Sequence, residues 1–199
     1  MAYSSNDTIS SGLALKKLME GNQRYVTANQ NHPNQTHQRR VNIADYQRPF
    51  ATILGCSDSR VPPELIFDQG LGDLFIIRIA GNLIDDMVLG SLEYAAMHLH
   101  TPLIMVLGHS RCGAVQAAEE NKTGDGHISY ITEKIRPLID KARNTEDVIQ
   151  YVARANTKFI ADQLRCSEPI LSKMVRDNQL DIIPAFYELD SGVVEILSD

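Results

Sequence analysis

The amino-acid sequence predicts an α/β fold: a mainly parallel β-sheet flanked by helices, with an N-terminal helical arm and C-terminal strands. From residue 50 onward, short apolar runs alternate with helical patterns, which is typical of a parallel sheet with helices on both faces. The runs are apolar at successive positions, as in strands buried on both faces. The last two runs flank Asp-Ser-Gly at 190–192, which predicts a turn between two strands.

The N-terminal part predicts a helix followed by an arm. Residues 12–26 place apolar side chains at the spacing of an amphipathic helix. Residues 29–36 are polar and contain Pro33, which predicts a loop or an extended arm. A helix joined to the body through such an arm favours packing on a partner subunit.

The remaining elements follow in chain order. The predicted strands share short apolar runs; they are 50–55, 74–79, 103–107, 182–189 and 193–197. The first two, 50–55 and 74–79, are expected to be buried. The helices are predicted by start signals or by apolar spacing; they are 62–66 opened by two prolines, 86–99 capped by Asp85 or Asp86, 114–120, and most of 128–175.

Length and charge limit the class of protein. The chain has 199 residues, which fits a single domain over 1–199 that includes the helix and arm at 1–40. A formal net charge of −6, with no cluster of Lys and Arg, argues against a nucleic-acid partner. No stretch approaches the ~20 apolar residues of a membrane span, and the first residues lack the pattern of a secretory signal. We therefore expect a cytoplasmic protein with no membrane partner.

Three cysteines are too few for a disulfide framework in a chain of this length. Cysteines at ordered spacing in a reducing compartment are more often ligands or catalytic groups than bridges. Cys166 lies in a helical pattern away from any motif, and we expect it to be a buried small apolar side chain.

Two polar clusters follow predicted strands. Residues 55–60 read Gly-Cys-Ser-Asp-Ser-Arg, and residues 108–113 read Gly-His-Ser-Arg-Cys-Gly. Because the carboxyl ends of parallel strands meet at one edge of a sheet, both clusters are expected to lie together. Cys56, His109 and Cys112 would then offer two thiolates and one imidazole, a set that suits Zn²⁺.

The number of ligands separates a catalytic zinc from a structural one. His-x-x-Cys at 109–112 is a weak signal by itself, and Cys-x-Asp-x-Arg at 56–60 alone fits a capped turn with a local salt bridge equally well. A structural zinc site normally has four protein ligands, whereas this chain offers three strong ones. Zinc lowers the pKa of a bound water towards ~7–9. Asp58 could accept a hydrogen bond from the resulting hydroxide, and Arg60 could hold that carboxylate by a bidentate pair. An Asp58–Arg60 pair that only stabilises the loop fits the same residues.

The two motifs resemble those of the β-class carbonic anhydrases, and the plant-like branch in particular. The shared motifs are Cys-x-Asp-Ser-Arg at 56–60 and His-x-x-Cys-Gly at 109–113, and the resemblance extends from about residue 12 to the C-terminal strands. It implies a zinc lyase that reversibly hydrates CO₂ to bicarbonate and a proton, by attack of zinc-bound hydroxide. It also implies Cys56, His109 and Cys112 as zinc ligands, Asp58 and Arg60 as catalytic residues, and a homodimer or tetramer.

Further positions follow the same resemblance. Gln47, Phe75, Tyr94 and Gly113 match the family's substrate pocket, with the glutamine reaching across the dimer. Ile53 stands where some members carry a tryptophan that favours a closed form, with the aspartate on zinc. We therefore expect an open form, with Asp58 as a possible fourth ligand in a closed one. Residues 78–82, Arg-Ile-Ala-Gly-Asn, depart from the commoner Arg-Asn-x-Ala-Asn.

Two alternative functions remain open at this stage. A hydrolase of carbonyl sulfide or carbon disulfide could use the same scaffold and the same attack. A non-catalytic, zinc-stabilised assembly module would need neither Asp58 nor Arg60. Several histidines could carry the released proton, and no spacing selects one; they are His32, His37, His98, His100 and His127.

Overall fold

A computed structural model describes residues 9–120, 126–142 and 145–198 of the chain. The helices are α1 Ser11–Val26, α2 His37–Asn42, α3 Pro63–Ile66, α4 Asp86–His98, α5 Gly113–Glu119, α6 Ile128–Ala142, α7 Val148–Arg165 and α8 Leu171–Arg176. The strands are β1 Ala51–Gly55, β2 Leu74–Arg78, β3 Leu103–His109, β4 Asp181–Tyr187 and β5 Val194–Ile196. Residues 1–8 of the predicted arm and 143–144 of the predicted helical region lie outside the described residues.

The strands within these ranges form one sheet in the order β2-β1-β3-β4-β5. The first four strands in this order are parallel, and β5 runs antiparallel to β4. Helices connect the parallel strands, as such crossovers require. The predicted α/β class, with its mainly parallel sheet and C-terminal strand pair, is confirmed. The short helix α2 inside the arm was not predicted.

The sheet has an apolar core on each face. Alternate residues of a strand point to opposite faces, so Leu54 and Ile53 belong to different clusters. The first cluster packs the sheet against α4 to α8, and the second packs it against α1 and α3. Strand β3 is buried along its whole length because it lies at the centre of the sheet. Its carboxyl end therefore carries His109 into a water-poor environment.

Strand β2 corrects the prediction of a strand buried on both faces. It is an edge strand whose Leu74, Phe75, Ile76 and Ile77 are only partly buried, and whose Arg78 is exposed. An apolar run can form either a central strand or an edge strand. The sequence pattern alone therefore could not show that β2 lies at the edge of the sheet. The protomer leaves this edge uncovered.

Helix α1 packs on the sheet of its own chain. Its Ala14 and Leu18 are fully buried against the second core cluster. Asn22 then joins both chain ends: its Nδ2 donates to Gly192 O at 2.9 Å, and its Oδ1 accepts from Val194 N at 2.9 Å. A buried amide that is fully bonded in this way fixes the helix against the β4–β5 turn.

The predicted burial of Cys166 is wrong. The residue is exposed, because it lies just past the last residue of α7, at the C-cap, where the chain turns away from the core. Among the helices that the described residues form, none is both long and apolar enough to cross a membrane.

Candidate metal centre

The two polar clusters meet at the carboxyl edge of the sheet. Cys56 follows β1, and His109 is the last residue of β3, the parallel neighbour of β1. The sulfurs of Cys56 and Cys112 and a ring nitrogen of His109 all lie within 4.8 Å of one another. All three residues are buried. The structure thus assembles the predicted ligand set from sequence segments that are far apart.

The turn after β3 directs His109 and Cys112 to the same point. Arg111 has a φ of 53°, and Cys112 occupies the N-cap position of α5. His109 Nδ1 lies 2.9 Å from Ser110 O. Because a carbonyl oxygen only accepts, Nδ1 carries the proton and Nε2 keeps a free lone pair. Within the described part of the chain, this buried Nε2 has no hydrogen-bond partner, so the residues fit a metal ion.

A hydrogen bond links the side chains of Cys56 and Cys112. The pKa of Cys56 is lowered to about 4, mainly because the Cys112 thiol donates a hydrogen bond to its sulfur. The pKa of Cys112 is raised by the same bond and by burial. A cation bound to both sulfurs would displace the proton of this hydrogen bond.

Asp58 is held by Arg60 beside the cluster. Arg60 Nε donates to Oδ1 at 2.9 Å, Arg60 Nη2 donates to Oδ2 at 2.7 Å, and the Arg60 amide donates to Oδ1 at 2.9 Å. The side-chain bonds from Arg60 lower the pKa of Asp58 to about 2. Oδ2 lies 4.0 Å from His109 Nε2, so an ionised oxygen faces the ligand cluster. Arg60 Nη2 also donates to Arg111 O at 3.3 Å, which links the two loops.

Arg78 is a structural residue of the site that the sequence analysis noted only as part of a variant segment. Its Nε donates to Cys56 O at 3.1 Å, and its Nη2 donates to Asp58 O at 2.5 Å. A guanidinium with two such bonds fixes the backbone that carries both Cys56 and Asp58. Its position near the end of a predicted strand, beside the site, was the sequence feature that could have identified Arg78 as a site residue.

The predicted pocket residues do not all lie together. Phe75 and Tyr94 form a ring pair with centroids 6.2 Å apart, and Tyr94 is half-exposed. At Gly113 the space around a Cβ position is open. Gln47 is exposed and precedes the amino end of β1, whereas Cys56 follows its carboxyl end, about 16 Å away along the strand. Gln47 is therefore far from the cluster of its own chain.

A cavity of about 1000 Å³ opens at the opposite edge of the sheet. Its lining includes residues that precede β1, β3 and β4, among them Phe50, Thr101 and Gln179. None of its lining residues belongs to the ligand cluster. This cavity is therefore separate from the ligand cluster.

Comparisons with known proteins identify the family of the chain. The sequence profile of the carbonic anhydrase family matches residues 51–194. The chain is 40% identical over 185 residues to carbonic anhydrase 2 of Mycobacterium tuberculosis, covering 90% of this chain and 89% of that protein. It is 39% identical over 191 residues to a carbonic anhydrase of Mycolicibacterium smegmatis, covering 93% and 92%.

Solved structures show the same fold. The β-carbonic anhydrase CafA of Aspergillus fumigatus superimposes with a TM-score of 0.73 at 26% identity, covering 94% of this chain and 90% of that one. A Coccomyxa β-carbonic anhydrase in complex with acetazolamide gives a TM-score of 0.71 at 27% identity, covering 79% and 75%. With this sheet, this cluster and these relatives, the chain belongs to the β-carbonic anhydrase family and is an enzyme of that family.

Proposed function

We propose that this enzyme catalyses the reversible hydration of CO₂ to bicarbonate and a proton at a zinc ion held by Cys56, His109 and Cys112. Two thiolates and one imidazole form a borderline-soft donor set that suits zinc. Three protein ligands leave a coordination position for a reactant, as in catalytic zinc sites. When bound, zinc supplies a Lewis acid that brings the pKa of water close to neutrality.

The observation that carries the proposal is the position of Asp58 beside the cluster. Each carboxylate oxygen can accept two hydrogen bonds. Oδ1 accepts two from Arg60, whereas Oδ2 accepts one from Arg60 and faces His109 Nε2 at 4.0 Å. Oδ2 thus keeps a lone pair with which to accept a proton-bearing group at the metal position. In this role Asp58 orients the attacking oxygen, and Arg60 keeps the carboxylate ionised and away from the metal.

The same geometry supports the open form of the site. Two charge-assisted bonds from Arg60 hold the Asp58 carboxylate and oppose its movement onto the metal position as a fourth ligand. Ile53 is fully buried in the strand just before Cys56. No tryptophan occurs in the chain to favour the closed arrangement.

An apolar wall beside the metal position would suit a substrate without charge. CO₂ offers no charge to bind, so its site must exclude water by shape and apolar surface. Phe75 and Tyr94 supply aromatic surface, and Gly113 leaves space next to Cys112. We propose these three residues, together with Gln47 of a second copy, as the substrate pocket.

Self-association forms part of the proposal. The β2 edge is only half-buried in the protomer, and Met87, Tyr94 and Met97 on α4 expose large apolar side chains. Exposed apolar surface of this kind marks an interaction site. We expect sedimentation equilibrium to give a mass of at least twice that of the chain, and a purely monomeric protein would contradict this part.

Stopped-flow CO₂ hydration by the zinc-loaded protein tests the function. We expect proton release at about pH 8 that falls about 10²-fold or more in Asp58→Asn, which keeps the shape of the side chain but not its charge. Acetazolamide, which the Coccomyxa enzyme binds, should suppress the wild-type rate. Absence of CO₂ hydration, or faster turnover of carbonyl sulfide or carbon disulfide, would contradict the proposal.

A further inference from the structure

A buried amide on α7 contacts the turn that follows β2. Asn156 is 2% exposed and lies among apolar residues of α7 such as Val152 and Ile160. Its Nδ2 donates to Gly81 O at 2.9 Å. A buried amide costs free energy unless it is bonded, so this contact ties α7 to the 80–82 turn. The turn is one wall of the ligand cluster.

Gly81 contacts a predicted metal ligand directly. Its amide donates to Cys56 Sγ at 3.4 Å. Its φ is 70°, and a Cβ at this position would come within 3.2 Å of both Ala114 Cβ and Ile135 Cδ1. The turn therefore requires glycine. Glycine is also the residue with the greatest backbone freedom, so the direction of its N–H needs an external restraint.

We propose that Asn156 is a positioning residue for the metal centre: by holding Gly81 O, it directs the Gly81 amide at the Cys56 sulfur. The inference rests on the proposed zinc site. The Gly81 carbonyl and the Gly81 amide belong to different peptide groups. Asn156 therefore acts by fixing the orientation of the glycine and not by polarising its N–H.

The amide–sulfur bond determines how much charge Cys56 gives to a metal. An N–H that points at a buried thiolate stabilises its negative charge and lowers the energy of its lone pairs. Removing a group that hydrogen-bonds to a metal ligand commonly changes metal affinity by about 10–100-fold.

The main test uses Asn156→Leu, which keeps the branched shape of the side chain and removes the donor. In the cobalt-substituted protein, we expect the thiolate-to-cobalt absorption band to move to longer wavelength, because the sulfur lone pairs rise in energy. In competition with a chelator, we expect zinc affinity to fall about 10-fold or more. Ile160→Val, a buried change one turn further along α7, is the matched control and should leave both readouts unchanged.

The outcomes separate a positioning role from a structural one. An Asn156→Leu protein that folds and keeps the wild-type cobalt spectrum and zinc affinity would overturn the proposal. An equal effect in Ile160→Val would also overturn it, because that result would show general loosening of α7. Should the leucine variant fail to fold, NMR of the wild-type protein loaded with cadmium-113 decides. We expect scalar coupling between the Gly81 amide proton and the metal, together with slow exchange of the Asn156 side-chain amide. Absence of either signal would refute the positioning role of Asn156.

These readouts do not depend on turnover. If the wild-type protein failed to hydrate CO₂, the proposed function would fall while the spectra and affinities still tested Asn156. If Asn156→Leu behaved as wild type, the role of Asn156 would be refuted, and the proposal of CO₂ hydration would still stand.

Discussion

Arg60 binds both carboxylate oxygens of Asp58, with Nε donating to Oδ1 at 2.9 Å and Nη2 donating to Oδ2 at 2.7 Å. The fork geometry of a guanidinium matches a carboxylate, and an ammonium group cannot reproduce it. The pair sets both the charge of Asp58 and the direction of its free lone pair.

Arg60→Lys should therefore impair catalysis although it keeps the positive charge. We expect kcat/KM for CO₂ to fall about 10–100-fold, because a single point charge leaves the Asp58 carboxylate free to rotate. Arg154→Lys is the control: Arg154 Nη2 donates to both Glu188 and Glu195, and neither partner belongs to the ligand cluster. Equal rates in Arg60→Lys and wild type would contradict the role of the fork.

The cysteines should differ sharply in metal binding. Cys56→Ser replaces a predicted thiolate ligand by a hydroxyl, and we expect the purified protein to contain much less than one zinc per chain by elemental analysis. Cys166→Ser changes an exposed thiol just beyond α7 and should retain the wild-type content. Full zinc occupancy in Cys56→Ser would exclude the proposed ligand set.

Gly108, the residue before His109, leaves no room for a side chain. A Cβ there would lie 1.9 Å from Thr157 Oγ1 and 3.2 Å from Phe186 Cδ2. We expect Gly108→Ala to lower the free energy of unfolding by about 1–3 kcal/mol, as overpacking does. Gly12→Ala, where the space is open, should leave stability unchanged or slightly higher.

The same contact predicts coupling between Gly108 and Thr157. Thr157→Ala removes the hydroxyl that occupies the space, so the double variant should lose less stability than the two single variants together. We expect a coupling energy of at least about 0.5 kcal/mol from chemical denaturation. Strict additivity would show that the clash is relieved elsewhere.

Asp68 anchors the arm that follows α1. Its carboxylate accepts from Asn31 N at 2.9 Å, from His32 N at 3.0 Å and from Arg24 Nε at 2.6 Å. Burial by itself raises the pKa of Asp68, but these three donors outweigh it, and the pKa is lowered. We expect Asp68→Asn to reduce the free energy of unfolding at pH 7 by about 1–3 kcal/mol.

The effect of Asp68 should depend on pH. Because its folded pKa lies below the unfolded value of about 3.9, its contribution is complete above that value and is lost as pH falls through the folded pKa. The difference between wild type and Asp68→Asn, measured by denaturation from pH 7 down to pH 3, should narrow below about pH 4. Glu20→Gln, in an exposed pair with Lys16, should stay within about 0.5 kcal/mol throughout. A constant gap for Asp68→Asn would contradict this account.

The amino-acid sequence was sufficient for the fold class and for the meeting of the two motifs. Successive apolar positions identify strands, and parallel strands necessarily bring their carboxyl ends to one edge, so Cys56 and His109 could be placed together. Strand limits agreed with the structure to within a few residues, because each run is bounded by polar or turn-forming residues.

Only the tertiary structure showed what restrains those ligands. Arg78 binds two backbone carbonyls that no side-chain pattern identifies, and Asn156 bonds to a residue 75 positions away in the chain. The edge position of β2 and the packing of α1 on its own sheet likewise depend on contacts between distant segments. Local spacing specifies which side chains a strand end presents, whereas the contact between Asn156 and Gly81 depends on how α7 packs against the sheet.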